Sequence, residues 1–297
     1  MSRSLKAHIL LVLITLVWGA TFLLIKEALR DVSALLFNAI RMAIASVALA
    51  IIFGKRLRGL GQSLKAGALV GVFLFAGYEF QTSGLRFTTP AKSGFITGVS
   101  VVLVPVISII LFGRRASLWT WVGVVLAFLG TYFMTIPAGG LSRSAINRGD
   151  LLTLICAICF ALQIIFVGRA TRATEGGHPY EHISFLQTAT AAVLMAITFP
   201  LVEHPHIALS ATVISAILIT GLLGTAVAFS IQTWAQQFLP ATHTALIFAL
   251  EPVFAWLTSA LFANERLEQR AIAGAALILG GILLAELVGA QAEKLPA

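Results

Sequence analysis

Charge is what this 297-residue sequence has least of. Asp, Glu, Lys and Arg together make up 11% of it, against about 25% in a soluble domain. A water-facing surface cannot be covered with so few charges, so a soluble globular protein is excluded. Cysteine is nearly absent as well. Cys156 and Cys159 form a single C-x-x-C inside an apolar run with no second pair, so they read as two small buried side chains rather than a metal or redox centre. No phosphate-cradling Walker loop, nucleophile elbow or H-E-x-x-H motif occurs, and a nucleotide-driven pump would need a nucleotide domain this sequence does not hold. Glu203-His204-Pro205-His206 brings metal-ligand types together but reads as a short polar loop without further ligands nearby.

What fills the sequence instead is apolar residues, 59% of the total, at a mean hydropathy of +0.97. They fall into ten runs, at about 7–25, 33–53, 64–87, 91–112, 117–136, 150–169, 182–201, 209–234, 241–263 and 269–288. Each approaches the ~20 residues needed to cross a bilayer core. The first run is long enough to span and reads as a retained helix rather than a cleaved leader. Loops are short, so nearly the whole chain is expected in lipid. The net charge of +8 would suggest nucleic acid in a soluble protein. Here the basic residues lie between spans, where a cytoplasmic bias accounts for them. Placing both termini in the cytoplasm puts eleven basic residues inside, Arg114, Arg115 and Lys294 among them, and eight outside, Arg266 among them. The expected location is the plasma membrane, or the inner membrane of a Gram-negative cell.

The sequence also repeats itself. An offset of 151 positions superposes Phe87 on Phe238, Ile96 on Ile247, Gly123 on Gly274 and Gly130 on Gly281. Two copies of five spans, 7–136 and 150–288, are joined by the Gly-containing stretch from Pro137 to Arg148. Five is odd, so the second copy enters the membrane from the opposite side. The expected fold is all-α, with ten transmembrane helices in two inverted repeats, an arrangement that carriers use to place a substrate at the repeat interface. Gly67-x-x-x-Gly71 and Gly94-x-x-x-Gly98 suit close helix approach. The Gly123/Gly130 and Gly274/Gly281 pairs would suit contact between the fifth and tenth helices.

Three ionisable residues lie deep in spans: Arg41, Glu79 and Glu251. A charge at mid-membrane costs about 2.5–3.5 kcal/mol on insertion scales, so each needs a partner, water or a function. Arg41 fits an anion-binding role or a structural tie. Glu79 lies in Tyr78-Glu79-Phe80-Gln81-Thr82-Ser83, the most polar stretch of the first copy, and fits proton exchange or a static pair with Arg86 or Lys92. The second copy offers an uncharged amide face, Gln232 and Gln236, over the same region. Lys92 and His243 superpose under the offset and fit either a site or the membrane interface. Pro252, next to Glu251, and Pro105 each free a backbone carbonyl and kink a helix, but at positions one turn apart in the two copies, which suggests an asymmetric cavity.

Trp18-Gly19, Arg41, the stretch Gly84–Gly98, Ala245–Pro252, Glu265-Arg266-Leu267 and Gly274-Ala275 resemble the EamA type of the drug/metabolite transporter superfamily, over about 7–136 and 150–288. One departure is Gly113-Arg114-Arg115, where the second copy has Asn264-Glu265-Arg266. The resemblance implies ten helices, cytoplasmic termini, a central cavity walled mainly by the third, fourth, eighth and ninth helices, and the export of metabolites or drugs. It carries over no residue-by-residue substrate signature. Together these readings give a secondary carrier, not an enzyme and without a cofactor, that exports a small amino-acid-like or drug-like solute by alternating access. The candidate substrate-binding residues are Trp18, Arg41, Tyr78, Glu79, Gln81, Lys92, Gln232, Gln236 and His243, with Pro105, Glu251 and Pro252 structural. Proton coupling through Glu79 and import of an organic anion on Arg41 and Lys92 are the further expectations.

Overall fold

Large apolar side chains face outward as well as inward: Leu201 is 79% exposed, Ile51 76% and Leu261 75%. Water penalises such surface by about 25 cal/mol per Å2, whereas lipid does not, so the outside of this bundle is built for a bilayer. The structure, a computed structural model, describes residues 2–88, 90–113, 116–136, 147–172, 177–262 and 269–289. Arg114, Arg115, Glu265, Arg266, Lys294 and most of the stretch between the copies lie outside the described residues.

All ten apolar runs are helices. They are α1 (Arg3–Ala28), α2 (Ala34–Leu57), α3 (Leu60–Gly84), α4 (90–112), α5 (Leu118–Thr135), α6 (Arg148–Thr171), α7 (Tyr180–Val202), α8 (Ala211–Ala235), α9 (241–262) and α10 (Gln269–Gly289). Helix ends carry their own stop and start chemistry. Asn147 and Asp150 form a reciprocal capping box at α6, and Ser2, Ser117 and Ser210 each accept a backbone N–H at the start of α1, α5 and α8. On the side opposite the termini, Glu203 accepts the Leu35 N–H at 2.8 Å and pairs with Arg86. The polar loop around Glu203 therefore ties the ends of α2, α3 and α7 together.

The two copies pack as equivalents. α3 lies on α6 and α7, just as α1 and α2 lie on α8; α4 packs on α6 as α9 packs on α1. α2 meets its counterpart α7, and α5 meets its counterpart α10. At that last contact the glycines explain themselves. A Cβ on Gly123 would stand 2.5 Å from the Gly281 carbonyl oxygen, and one on Gly130 2.5 Å from that of Gly274. The low number on one helix meets the high number on the other, so α5 and α10 run antiparallel. Gly67 and Gly71 likewise seat α3 against Leu186 and Thr190 of α7. Gly94 differs from expectation: nothing lies within 4 Å of its Cβ position, so it brings no backbone close.

Helices α4 and α9 are each broken in two, α4 into Pro90–Gly98 and Ser100–Phe112, α9 into Ala241–Phe248 and Glu251–Phe262. At each break the backbone tightens from an i−4 to an i−3 bond: Val99 N–H donates to Ile96 at 3.1 Å, and Leu250 N–H to Ile247 at 3.0 Å. Those bonds are 151 positions apart, so the copies break at the same place. This corrects the expectation of asymmetry drawn from the prolines. Pro105 sits well inside the second half of α4, and Pro252 in the first turn of its half-helix, where a missing N–H has no intrahelical partner to lose. Neither marks the break itself. Wider π turns interrupt α8 at Leu222–Val227 and end α10 at Ala285–Gly289.

Candidate functional site

The breaks meet a polar cluster at the middle of the bundle. α1 reaches the α9 break because residue 19 is glycine: a Cβ there would stand 2.9 Å from the Glu251 carbonyl oxygen and closer still to Phe254 and Ala255. Trp18, one residue before, stacks edge-on against Phe248 at 4.9 Å and donates its indole N–H to the Gly224 carbonyl at 2.8 Å. Gly224 lies in the α8 π turn, where the shifted ladder frees backbone acceptors. Thr225, next in that turn, accepts from Nε and a terminal nitrogen of Arg41 at 3.1 and 3.0 Å. The Arg41 guanidinium also donates to the Tyr78 hydroxyl at 3.3 Å and lies 4.9 Å from the Tyr78 ring centre.

Arg41 is 5% exposed, and among the described residues no carboxylate pairs with it. Two neutral hydroxyls and a ring hold the buried cation without neutralising it. Glu251 is its counterpart in sign. It opens the second half of α9, where the helix dipole favours a negative charge, and among the described residues no hydrogen bond or ion pair reaches its carboxylate. Arg41 touches Tyr78 directly, and Glu251 enters the same region through the close approach of α1 to α9. Tyr78 packs edge-on against Phe160, and Gln81 donates to Thr97 at 3.4 Å, two residues before the α4 break. Trp18, Arg41, Tyr78 and Glu251 therefore form one cluster contributed by α1, α2, α3 and α9, with α8 holding it and Gln81 adjoining on α3.

The remaining sequence candidates lie elsewhere. Gln232 and Gln236 are 1% and 0% exposed and belong to a closed amide network rather than an open face. Gln232 donates to Gln163 at 3.1 Å and to Gln236 at 3.3 Å, Gln163 donates to Gln187 at 2.9 Å, and Gln236 to the Ile164 carbonyl at 2.8 Å. With their amide hydrogens held inside the protein, they tie α6, α7 and α8 together. Glu79 is not paired with Arg86, which Glu203 has taken; among the described residues, both Glu79 carboxylate oxygens are buried without a hydrogen bond. The neighbouring Thr198 hydroxyl turns to the Met195 carbonyl instead. His243 is buried at the terminus-side end of α9 against Glu286, not at an open membrane interface. The Lys92 side chain lies outside the described residues.

Sequence reasoning missed Thr225, Gln163 and Gln187, whose side-chain partners are 24 or more positions away, and also His8 and Glu286 near the helix ends. Only the uncharged Gln163 and Gln187 inside apolar runs carried a visible signal. A cleft of roughly 400 Å3 opens on the terminus side between α4, α6 and α9, lined by Arg169, Arg172 and His243 and reaching as deep as Pro105. It does not include the central cluster.

Residues 5–136 and 147–287 each match the EamA-like transporter family, so the chain belongs to that family. It is 34% identical to an uncharacterized transporter of Archaeoglobus fulgidus, over 96% of this chain and 87% of the relative. It is 23% identical to the uncharacterized transporter YoaV of Bacillus subtilis, over 94% and 96%. A WAT1-related chloroplastic protein of Arabidopsis thaliana is 24% identical over 90% of this chain and 66% of that one. A solved crystal structure superposes with a TM-score of 0.80 at 21% identity, covering 97% of this chain and 99% of the other, and shares the fold. The protein is thus a multi-pass membrane transporter and not an enzyme.

Proposed function

We propose that this transporter is a secondary carrier that exports a small amino-acid-like or drug-like metabolite across the plasma membrane by alternating access. The observation that carries the reading is the pair of central ionisable side chains, Arg41 and Glu251, one basic and one acidic, without an ion-pair partner among the described residues, and near Tyr78 and the helix breaks. A zwitterionic solute offers a carboxylate to Arg41, a strong charge-assisted bond, and an ammonium to Glu251. Trp18 and Tyr78 supply aromatic surface for its side chain. The antiparallel contact of α5 with α10 and the exchange symmetry of the helix pairs support two oppositely oriented copies, 7–136 and 150–288, rocking about this centre. The excess of basic residues on the terminus side supports cytoplasmic termini, and the cleft there supports solute entry from that side. The buried Glu79 carboxylate, which has no hydrogen-bond partner among the described residues, supports proton coupling, because burying an unpartnered charge is costly.

The test is counterflow in proteoliposomes with a panel of labelled amino acids, comparing the parent protein with Arg41→Gln and Glu251→Gln. Loss of flux in both variants fits a zwitterion bound between the ions, and full flux in both refutes the site. Arg41 without a carboxylate partner also favours a second reading, an importer or facilitator of a small organic anion with Lys92 as a further cation. That reading predicts flux of an anion lost in Arg41→Gln and kept in Glu251→Gln.

A further inference from the structure

At the terminus-side end of the bundle, α1, α9 and α10 bring together three side chains outside the central cluster, one of which, His243, also borders the cleft. His8, near the start of α1, places Nε2 2.7 Å from Oε2 of Glu286. His243, in the first turn of α9, places Nδ1 2.8 Å from Oε1 of the same carboxylate. Glu286 reaches both from the π turn that ends α10. One nitrogen of each ring and one carboxylate oxygen all lie within 4.8 Å of one another.

The hydrogen bonding around the cluster is incomplete in an informative way. Nδ1 of His8 lies 2.8 Å from the Ser4 carbonyl oxygen, which only accepts, so Nδ1 carries the ring proton. A neutral His8 ring therefore turns its Nε2 lone pair on a carboxylate oxygen, and a positive species has to lie between them. On the other side, among the described residues, the His243 ring faces Glu286 Oε1 in a geometry that makes no hydrogen bond, and His243 Nε2 is buried without a partner. A proton on His8 Nε2 answers that contact and leaves the His243 side of the carboxylate as it is. A metal ion collects three donors at once. Two imidazoles and a carboxylate are a donor set that Zn2+-type ions take, and a backbone carbonyl holding the far nitrogen of a ligating histidine is the usual outer-shell support.

We propose that His8, His243 and Glu286 form a binding site for a divalent transition-metal ion of the Zn2+ type. The ion fastens α1 of the first copy to α9 and α10 of the second, and so holds the copies together at the terminus-side end. The proposal is independent of the identity of the transported solute.

The test uses purified protein without a histidine tag, titrated with Co2+ as a visible stand-in for Zn2+. The comparison background is His178→Asn/His204→Asn/His206→Asn, which removes other accessible imidazoles. The expected result is one equivalent of Co2+ with a visible absorption band, retained in that background. Loss of an outer-shell partner alone typically weakens metal sites about 10–100-fold, so His8→Asn and Glu286→Gln should weaken binding by more than about tenfold. Zn2+ should raise the Tm of the parent by several degrees and leave that of His8→Asn unmoved, because only a folded-state ligand stabilises. His243→Asn serves as the third variant, with helical circular dichroism confirming that each is folded. No stoichiometric binding by the parent, or equal binding by a folded His8→Asn, overturns the site.

Discussion

Gly130→Ala should destabilise the protein by an amount fixed by the α5–α10 contact. Its new Cβ would stand 2.5 Å from the Gly274 carbonyl oxygen and 2.6 Å from Ile278. Close carbon–oxygen contacts between packed helices run at about 3.3 Å, so the helices must part by about 0.8 Å at this crossing. Overpacking of that size costs about 1–3 kcal/mol. Gly274→Ala meets the Gly130 carbonyl oxygen at 2.7 Å, across the same crossing. Once the helices have parted for one methyl, the second meets less resistance, so the double variant should lose less than the sum of the singles. Gly123→Ala acts at the other crossing, seven positions or about 10 Å along α5, and should add to Gly130→Ala nearly in full. Gly280→Ala is the control, because nothing lies within 4 Å of its Cβ position although it adjoins Gly281 on the same helix. It should be neutral or slightly stabilising. The assay is thermal unfolding in detergent, followed by helical circular dichroism. Equal Tm values for Gly130→Ala and Gly280→Ala would refute the close antiparallel contact.

Three further outcomes are expected. In a Cys156→Ala/Cys159→Ala background, cysteines at 81 and 251 should react with a membrane-permeant thiol reagent at least about tenfold faster than cysteines at 232 and 236, because the last two positions lie in the closed amide network; the reverse order would place the solute path along that network. Glu79→Gln should flatten the pH dependence of transport in proteoliposomes while leaving the protein folded, and an unchanged pH profile would remove Glu79 from proton coupling. Trp18→Phe keeps a ring against Phe248 but leaves the Gly224 carbonyl without its donor. It should cost about 1–3 kcal/mol in unfolding free energy, and an unchanged Tm would mean that the α8 π turn does not depend on the indole.

The ten spans and the duplication were legible in the sequence because they are one-dimensional signals. Hydropathy over about 20 residues is set by the bilayer thickness, whatever packs against the helix, and an offset of 151 positions needs only counting. The costly charges were legible for the same reason, so Arg41 and Glu251 stood out before any contact was known. The breaks in α4 and α9 were not. The prolines suggested kinks at two unequal places, whereas the backbone gives way at Val99 and Leu250, the second of these beside the close approach of α1 through Gly19. Gln232 and Gln236 read as an open polar face because their partners, Gln163 and Ile164, are 69 and 72 positions away.

What the sequence determined by itself was the ten apolar spans and which residue types are too costly in lipid to be there without a reason. Only the tertiary structure decided which polar groups face each other. It closed the glutamines into a network, set Arg41 against Tyr78 with no carboxylate partner among the described residues, and joined His8 to a carboxylate 278 positions away. Lipid solvation acts on each segment separately and so is written along the chain. Pairing acts between segments, and depends on helix rotation and approach that no single segment encodes.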